Sequence, residues 1–179
     1  MKLVIRTRFW RSRADKVSSQ IRTTGDAYLN LSNSISPEQG ATVVEVPPML
    51  GVDEDMRNWS FYMLLEHHVI VNRSITNLIE GLVRGEVIEG IDPKKDVMPS
   101  ADPGVEQVEV FRSSIEAHIE TIARLGKLRG TVKKRHPIFG MLDAHGWHCM
   151  FGLHLEVHMK QAQLVASQST ATRATSARG

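Results

Sequence analysis

The chain has 179 residues, of which 41% are hydrophobic, and it carries 22 Lys and Arg against 20 Asp and Glu. These values fit one ordinary domain with a substantial core, and a single cysteine, Cys149, excludes an intrachain disulfide and a CxxC metal clip. No stretch reaches the roughly 18 continuous apolar residues of a membrane span, and the opening residues lack the apolar run of a secretory signal. We therefore expect a cytoplasmic protein with no membrane partner.

Positive and negative charges are unevenly distributed along the chain. Residues 1–24 carry a net charge of +6, and the remainder of the chain carries −4. A basic segment of this kind contacts nucleic acid or an anionic surface, serves as a transit peptide, or is the solvated face of a helix. No aromatic stacking platform accompanies it, so we expect the solvated face and no nucleic-acid partner.

Four stretches have apolar residues at alternating three- and four-residue steps, which predicts α-helices. The stripes run from Trp10 to Ile35, from about Trp59 to Val83, from Val108 to Leu125, and from about Asp143 to Val165. Asp143 is the predicted N-cap of the last helix. The segment from Ser167, made of Ser, Thr, Ala and Arg, is predicted to be a flexible tail over residues 167–179.

Helices without a sheet to cover most simply form a four-helix bundle, so we predict an all-α single domain over residues 1–166. The connections at residues 37–57 and 85–104 are long and rich in Gly, Pro and Asp. The first contains a short extended piece around VVEV at residues 43–46. Connections of this length indicate a bundle with crossovers rather than four helices joined by tight turns.

Eight histidines are many for this length, and their placement is the main chemical signal. His154 and His158 are four residues apart on the fourth helix, so both imidazoles lie on one face and can chelate one ion. A third ligand can come from His67 or His68 on the second helix. Histidines that are buried in the core and hydrogen-bonded there would give the same pattern. The residues alone therefore allow either a metal site or structural histidines.

The pattern resembles a known family. Trp59-Ser60, six residues, then His67, with His154-x3-His158 and Gln161 some 85 residues later, resembles the DinB/YfiT-like superfamily of predicted metalloenzymes over roughly residues 3–165. The HPIFGMLDAHGW segment at residues 136–147 is similar to an uncharacterised branch that has a His-Pro-x-Phe-Gly element.

The resemblance implies a four-helix bundle of DinB/YfiT type with a divalent metal, nickel or zinc, bound by His67, His154 and His158. Periodicity instead centres His68 on the core stripe, so His68 is the fallback ligand. Some relatives transfer low-molecular-weight thiols such as mycothiol or bacillithiol, and relatives form dimers. The resemblance therefore implies a homodimer and a hydrolase or thiol transferase acting on an unknown small molecule.

Other polar residues near these positions have weaker patterns. Gln161 is predicted to hydrogen-bond a bound water or substrate, or to be a core amide. Glu66 and Glu156 flank ligand positions and are predicted to orient an imidazole, act as a base, or face solvent. Cys149 has no evident basic partner, so we expect an inert buried thiol.

The remaining candidates have mainly structural interpretations. Trp59 and Trp147 are predicted packing anchors. His136 and His145 are predicted surface residues or the mouth of a pocket, and His118 lies beside the third stripe without a distinctive signal.

The sequence therefore supports two functions of different kinds. The first is a divalent-metal-dependent enzyme, and the alternative is a non-catalytic helical-bundle protein that binds or associates through a helix face.

Overall fold

A computed structural model describes residues 7, 9–86 and 96–176, with the side chains described as far as residue 169. The helices are α1 (Ala14–Asn33), α2 (Pro37–Ala41), α3 (Phe61–Arg84), α4 (Gln107–Leu125) and α5 (Ala144–Ser176). The strands are β1 (Val44–Glu45), β2 (Asn58–Trp59), β3 (Lys134–His136) and β4 (Gly140–Leu142), and a short 3-10 helix spans Glu54–Met56. No helix in these ranges combines the length and apolarity needed to span a bilayer.

The long helices α1, α3, α4 and α5 form a four-helix bundle, as the sequence predicts. Each packs on two neighbours, in the order α1, α5, α3, α4 and back to α1. The strands form only two small antiparallel pairs, β1 with β2 and β3 with β4, at the edges of the bundle. The prediction of an all-α fold is confirmed.

Contacts between neighbouring helices show their directions. Positions rise together in the contacts of α1 with α5 and of α3 with α4, so each of these pairs is parallel, whereas α1 and α4 are antiparallel. The contacts are Ser18 with His148 and Tyr28 with Leu155, Asn72 with Ser114 and Glu80 with Arg124, and Tyr28 with Phe111 and Gly25 with Ile115. Because α3 and α4 are parallel, the chain between them must return along the bundle, which confirms a crossover connection.

Local signals explain where α3 begins and ends. Ser60 is the N-cap, and its hydroxyl accepts a hydrogen bond from the backbone N–H of Met63 at 3.2 Å. Gly85 ends the helix with φ +81°, in the left-handed region that favours glycine. These two signals set the length of the helix that carries His67.

The core lies along the interior of the bundle and continues under the connections. Its fully buried side chains include large residues from all four long helices: Ile21, Tyr28, Phe61, Leu64, Leu65, Ile79, Phe111, Phe151 and Leu155. The first connection also reaches this core through Val46, which is fully buried, and Trp59.

Two predicted boundaries are wrong. The fourth helix does not end near Val165, because α5 continues to Ser176 and still buries Ser169. Residues 167–176 are therefore helical, and residues 177–179 of the predicted tail lie outside the described part. The helix end was misplaced because the Ser, Thr and Ala of this segment carry little apolar periodicity, although Ala is a strong helix former.

The predicted start of the first helix also differs. The sequence predicts one continuous helix with Trp10 on its buried stripe, but residues 12 and 13 interrupt the helical backbone between residues 9–11 and α1, which begins at Ala14. Trp10 is 73% exposed. The adjacent residue Phe9 is buried instead and packs against Phe139.

Candidate metal centre

Helix α3 carries His67 in its second turn, next to His68. Both imidazoles are almost fully buried, with exposed fractions of 2% and 0%. The indole of Trp59, just before the helix, packs against the His67 ring with 5.0 Å between ring centroids. His67 therefore lies in a shielded position although it is beside the central stripe of the helix.

Helix α5 carries the other two histidines, one turn apart. His154 and His158 have ring centroids 4.8 Å apart, as expected for positions i and i+4 on one helix face. The antiparallel helix α3 packs against this face and places His67 within 5.0 Å of the first ring and 5.1 Å of the second.

The three side chains converge. Each of His67, His154 and His158 offers one nitrogen, and these nitrogens all lie within 4.8 Å of one another. The Nε2 atoms of His67 and His154 are only 3.1 Å apart. Since Zn–N bonds measure about 2.0–2.1 Å, two nitrogens bound to one ion lie at most about 4.2 Å apart. The His67–His154 pair meets this limit, and any pair as far apart as 4.8 Å would have to move closer by rotation of the side chains. This group could hold a metal ion.

Hydrogen bonds at the outer nitrogens orient two of the rings. Nδ1–H of His67 donates to the Val97 carbonyl at 2.8 Å, and Nδ1–H of His158 donates to Oε1 of Gln161 at 2.9 Å. The Gln161 amide donates in turn to the Met56 carbonyl at 2.6 Å. When Nδ1 carries the proton, the lone pair is on Nε2, and this is the arrangement typical of metal-binding histidines.

The third ring, that of His154, is less fully satisfied. Its Nδ1 is buried and has no hydrogen-bond partner among the described residues. A metal bound at Nε2 would place the ring proton on this Nδ1, so the His154 ring lacks the orienting hydrogen bond that the other two rings have.

Burial keeps the three imidazoles neutral near pH 7. It lowers the pKa of His67 to about 4, with a further contribution from the nearby His158. The pKa values of His154 and His158 are also lowered, in both cases chiefly by burial. Neutral imidazole is the form that binds a metal, so the ligands need not lose protons first.

His68 is adjacent to this group but is not part of it. Its Nε2–H donates to the Tyr28 hydroxyl at 3.0 Å, and that hydroxyl donates to the Leu155 carbonyl at 2.9 Å. The ring packs edge-on against His154, with 5.1 Å between centroids. The structure thus groups His67, rather than the fallback His68, with the pair on α5.

The other predicted site residues occupy different positions. Gln161 is fully buried and contacts His158 as described, whereas Glu66 points away from the histidines. The Glu66 carboxylate accepts hydrogen bonds from the backbone N–H and hydroxyl of Ser100 at 2.8 and 2.7 Å. Glu66 therefore fastens the segment whose Val97 carbonyl orients His67. Glu156 is half-buried and accepts a hydrogen bond from Gln20.

Segments of the two connections cover the centre. Val97 is buried over His67, and Gly51 packs tightly on α5 beside His158. A Cβ atom at Gly51 would lie 2.4 Å from Cγ1 of Val157. The centre is therefore shielded by residues 49–56 and 97–100 as well as by the helices.

A second pair of histidines crosses the bundle interior, and the sequence analysis missed it. Nε2 of His118 lies 2.9 Å from Nδ1 of His148, and both side chains are fully buried. Thr76 contacts one end of this pair and Ser18 the other. The periodicity contained a signal, because residues 111, 115, 118 and 122 also follow three- and four-residue steps.

Cys149 differs from its predicted environment. Nε2 of His145, one turn earlier on α5, lies 3.6 Å from its Sγ, so the thiol has a basic neighbour that the sequence analysis overlooked. His145 itself is buried rather than on the surface. His136 is half-buried and contacts the Trp147 ring with 5.4 Å between centroids.

Comparisons with known proteins support the fold. No protein-family model and no curated protein matches the chain. A crystal structure of TT2238, described as a four-helix bundle protein, matches with a TM-score of 0.59 and 20% sequence identity. The match covers 85% of this chain and 99% of that one. This likeness shows that the chain has a four-helix-bundle fold.

Proposed function

We propose that the protein is a divalent-metal-dependent enzyme whose ion is bound by His67, His154 and His158. The observation that carries this proposal is the convergence of one nitrogen from each of three neutral imidazoles within 4.8 Å, with two of the residues buried and His154 half-buried. Two of the rings have their outer N–H groups bound to a carbonyl or an amide oxygen, which leaves the inner nitrogens for the ion.

The chemistry of the ligands favours catalysis over a purely structural role. Three neutral ligands leave the full charge of the ion uncompensated and at least one coordination position open, which is typical of catalytic sites. Nickel and zinc both suit imidazole ligands. Such an ion supplies Lewis acidity for hydrolysis, or a position at which a low-molecular-weight thiol binds as its thiolate.

The residues of the chain have defined tasks in this proposal. His67, His154 and His158 bind the ion, Gln161 and the Val97 carbonyl hold two of the rings in orientation, and Glu66 fastens the segment that contains Val97. Burial by the two connections excludes bulk water. These features fit the DinB/YfiT-like resemblance, and membership of that superfamily, a homodimeric state and a cytoplasmic location remain proposals.

Elemental analysis of protein purified without a His tag or chelator tests the proposal. We expect near-stoichiometric nickel or zinc in the wild type and its loss in His67→Ala, His154→Ala and His158→Ala. His68→Ala is the matched control, since His68 is equally buried and adjacent, and it should keep the metal.

The result also separates enzyme from association protein. Metal that is absent from the wild type and is not taken up on adding nickel or zinc would overturn the enzyme proposal and favour the non-catalytic bundle. If metal is bound, hydrolysis and thiol-transfer substrates should be screened with His154→Ala as the inactive reference.

A further inference from the structure

Positive charge is concentrated at the end of the bundle where α5 begins. We call residues 9–16 and 127–142 the basic end. Its eight cations, against the single acid Asp15, are Arg11, Arg13, Lys16, Lys127, Arg129, Lys133, Lys134 and Arg135. The rest of the chain has 14 cations and 19 acids, so the charge asymmetry is strong although the net charge is only +2.

The fold brings the two segments of the basic end together. Nη2 of Arg129 donates to the backbone carbonyls of Trp10 and Ser12 at 2.7 and 3.2 Å. The rings of Phe9 and Phe139 pack with 5.9 Å between centroids. The N-terminal segment therefore lies against the β3–β4 hairpin, and cations far apart in sequence share one surface.

Two acids lie in or next to these segments. Asp15 forms an ion pair with Arg13 at 3.0 Å, and Oδ1 of Asp143 accepts the backbone N–H of Gly146 at the start of α5. Eight cations therefore stand against two acids there. The surface thus keeps a large excess of positive charge.

Exposed apolar side chains stand among these cations. Trp10 is 73% exposed, Ile138 55% and Met141 51%. Trp10 and Met141 line one surface cleft together with Arg129 and Lys133. Across the hairpin, Arg135 pairs with Met141, so a cation and an apolar side chain are direct neighbours.

We propose that the basic end docks on the surface of an anionic lipid bilayer. Lys and Arg near such a surface are attracted to acidic headgroups, and Trp is favoured at the interface between headgroups and acyl chains. Ile138 and Met141 can enter the same interface. A nucleic acid would also neutralise the cations, and a base could stack on Trp10, but a nucleic acid has no apolar phase for the aliphatic side chains of Ile138 and Met141.

This surface is separate from the metal centre. His145 lines the cleft of the basic end, and His154 is nine residues further along α5, which corresponds to about 14 Å of helix. The proposal therefore does not depend on the metal. It differs from the expectation that the basic segment is only a solvated helix face and that the protein has no membrane partner.

Vesicle co-sedimentation tests the proposal with the full chain. We expect the protein to sediment with vesicles of equimolar phosphatidylserine and phosphatidylcholine, to stay in solution with pure phosphatidylcholine, and to be released by high salt. Lys127→Ala/Lys133→Ala/Arg135→Ala removes three exposed cations and should lower the partition coefficient by roughly 100-fold. Trp10→Ala should also weaken binding.

A second triple variant controls for net charge. Arg22→Ala/Arg73→Ala/Lys160→Ala removes three exposed cations elsewhere on the bundle and should reduce partitioning far less. Equal losses in both triple variants, equal binding to neutral and anionic vesicles, or no binding would overturn the proposal. So would tighter binding to a single-stranded DNA oligonucleotide than to the anionic vesicles at the same salt concentration. Far-UV circular dichroism confirms that each variant is folded.

Discussion

Acidification from pH 7 to pH 5 is expected to destabilise the metal-free protein through the buried pair His118 and His148. Burial lowers the pKa of His118 to about 2 and that of His148 to about 4, from an ordinary value of 6.5. In this pH range the unfolded chain takes up protons on both residues, whereas the folded protein takes up almost none.

The sign and size of the effect follow from proton linkage. Because each folded-state pKa lies below the unfolded value, the free energy of unfolding falls as the pH drops below 6.5 towards the folded pKa. At about 1.4 kcal/mol per pH unit, each histidine costs roughly 2 kcal/mol between pH 7 and pH 5, and the pair about 4 kcal/mol. This is a large part of the 5–15 kcal/mol that typically stabilises a domain.

Urea unfolding with a chelator present, monitored by circular dichroism at pH 8, 7 and 5, measures this effect. Between pH 7 and pH 5, the free energy of unfolding should fall by about 4 kcal/mol less in the double variant His118→Gln/His148→Gln than in the wild type. Between pH 8 and pH 7 it should change little in either protein, because the histidines are mostly neutral in both the folded and the unfolded state. Each single variant should show about half of the difference. Equal losses in the wild type and the double variant would show that His118 and His148 do not cause the acid destabilisation.

Three further predictions concern single residues. Gln161→Leu removes the oxygen that accepts the hydrogen bond of His158, so it should weaken metal affinity by about 10–100-fold in a chelator competition. Gln163→Leu, at an exposed position, should leave the affinity unchanged. Equal affinities of the two variants would exclude a role for Gln161. Gly51→Ala places a Cβ atom against Val157 at a residue with φ +82°. It should lower the free energy of unfolding in urea by about 1–3 kcal/mol more than Gly85→Ala, where φ is +81° but the space is open. Equal losses would contradict the close packing at Gly51. Tyr28→Phe leaves the Nε2–H of His68 unpaired and should cost about 1–3 kcal/mol without loss of metal; a neutral effect would contradict the buried hydrogen bond.

Much of the fold could be predicted from the sequence, because bundle helices must bury an apolar stripe. The second and third stripes gave α3 and α4 to within a few residues, and the long connections indicated the crossover. The β3–β4 hairpin was missed since its three-residue strands are too short for alternation to be visible. Trp10 was misplaced because helical spacing cannot show that a break at Ser12 and Arg13 separates helical residues 9–11 from α1.

The candidate site was predictable in part. The i, i+4 spacing of His154 and His158 is enough to place both on one face, but the choice between His67 and His68 depended on the resemblance. The apolar periodicity favoured His68. The structure shows that the connection between α3 and α4 covers His67, so this residue is buried although it lies beside the apolar stripe of its helix. The hydrogen bond from His67 to the Val97 carbonyl joins residues 30 positions apart and has no signal in the sequence.

Anomalous diffraction from crystals of the untagged protein, measured at the zinc or nickel edge, shows whether His67, His154 and His158 bind one divalent ion. We expect one strong peak about 2.0–2.1 Å from a nitrogen of each of the three imidazoles. A peak at another position, such as beside Cys149 and His145, or no peak after soaking with either metal, would contradict this expectation.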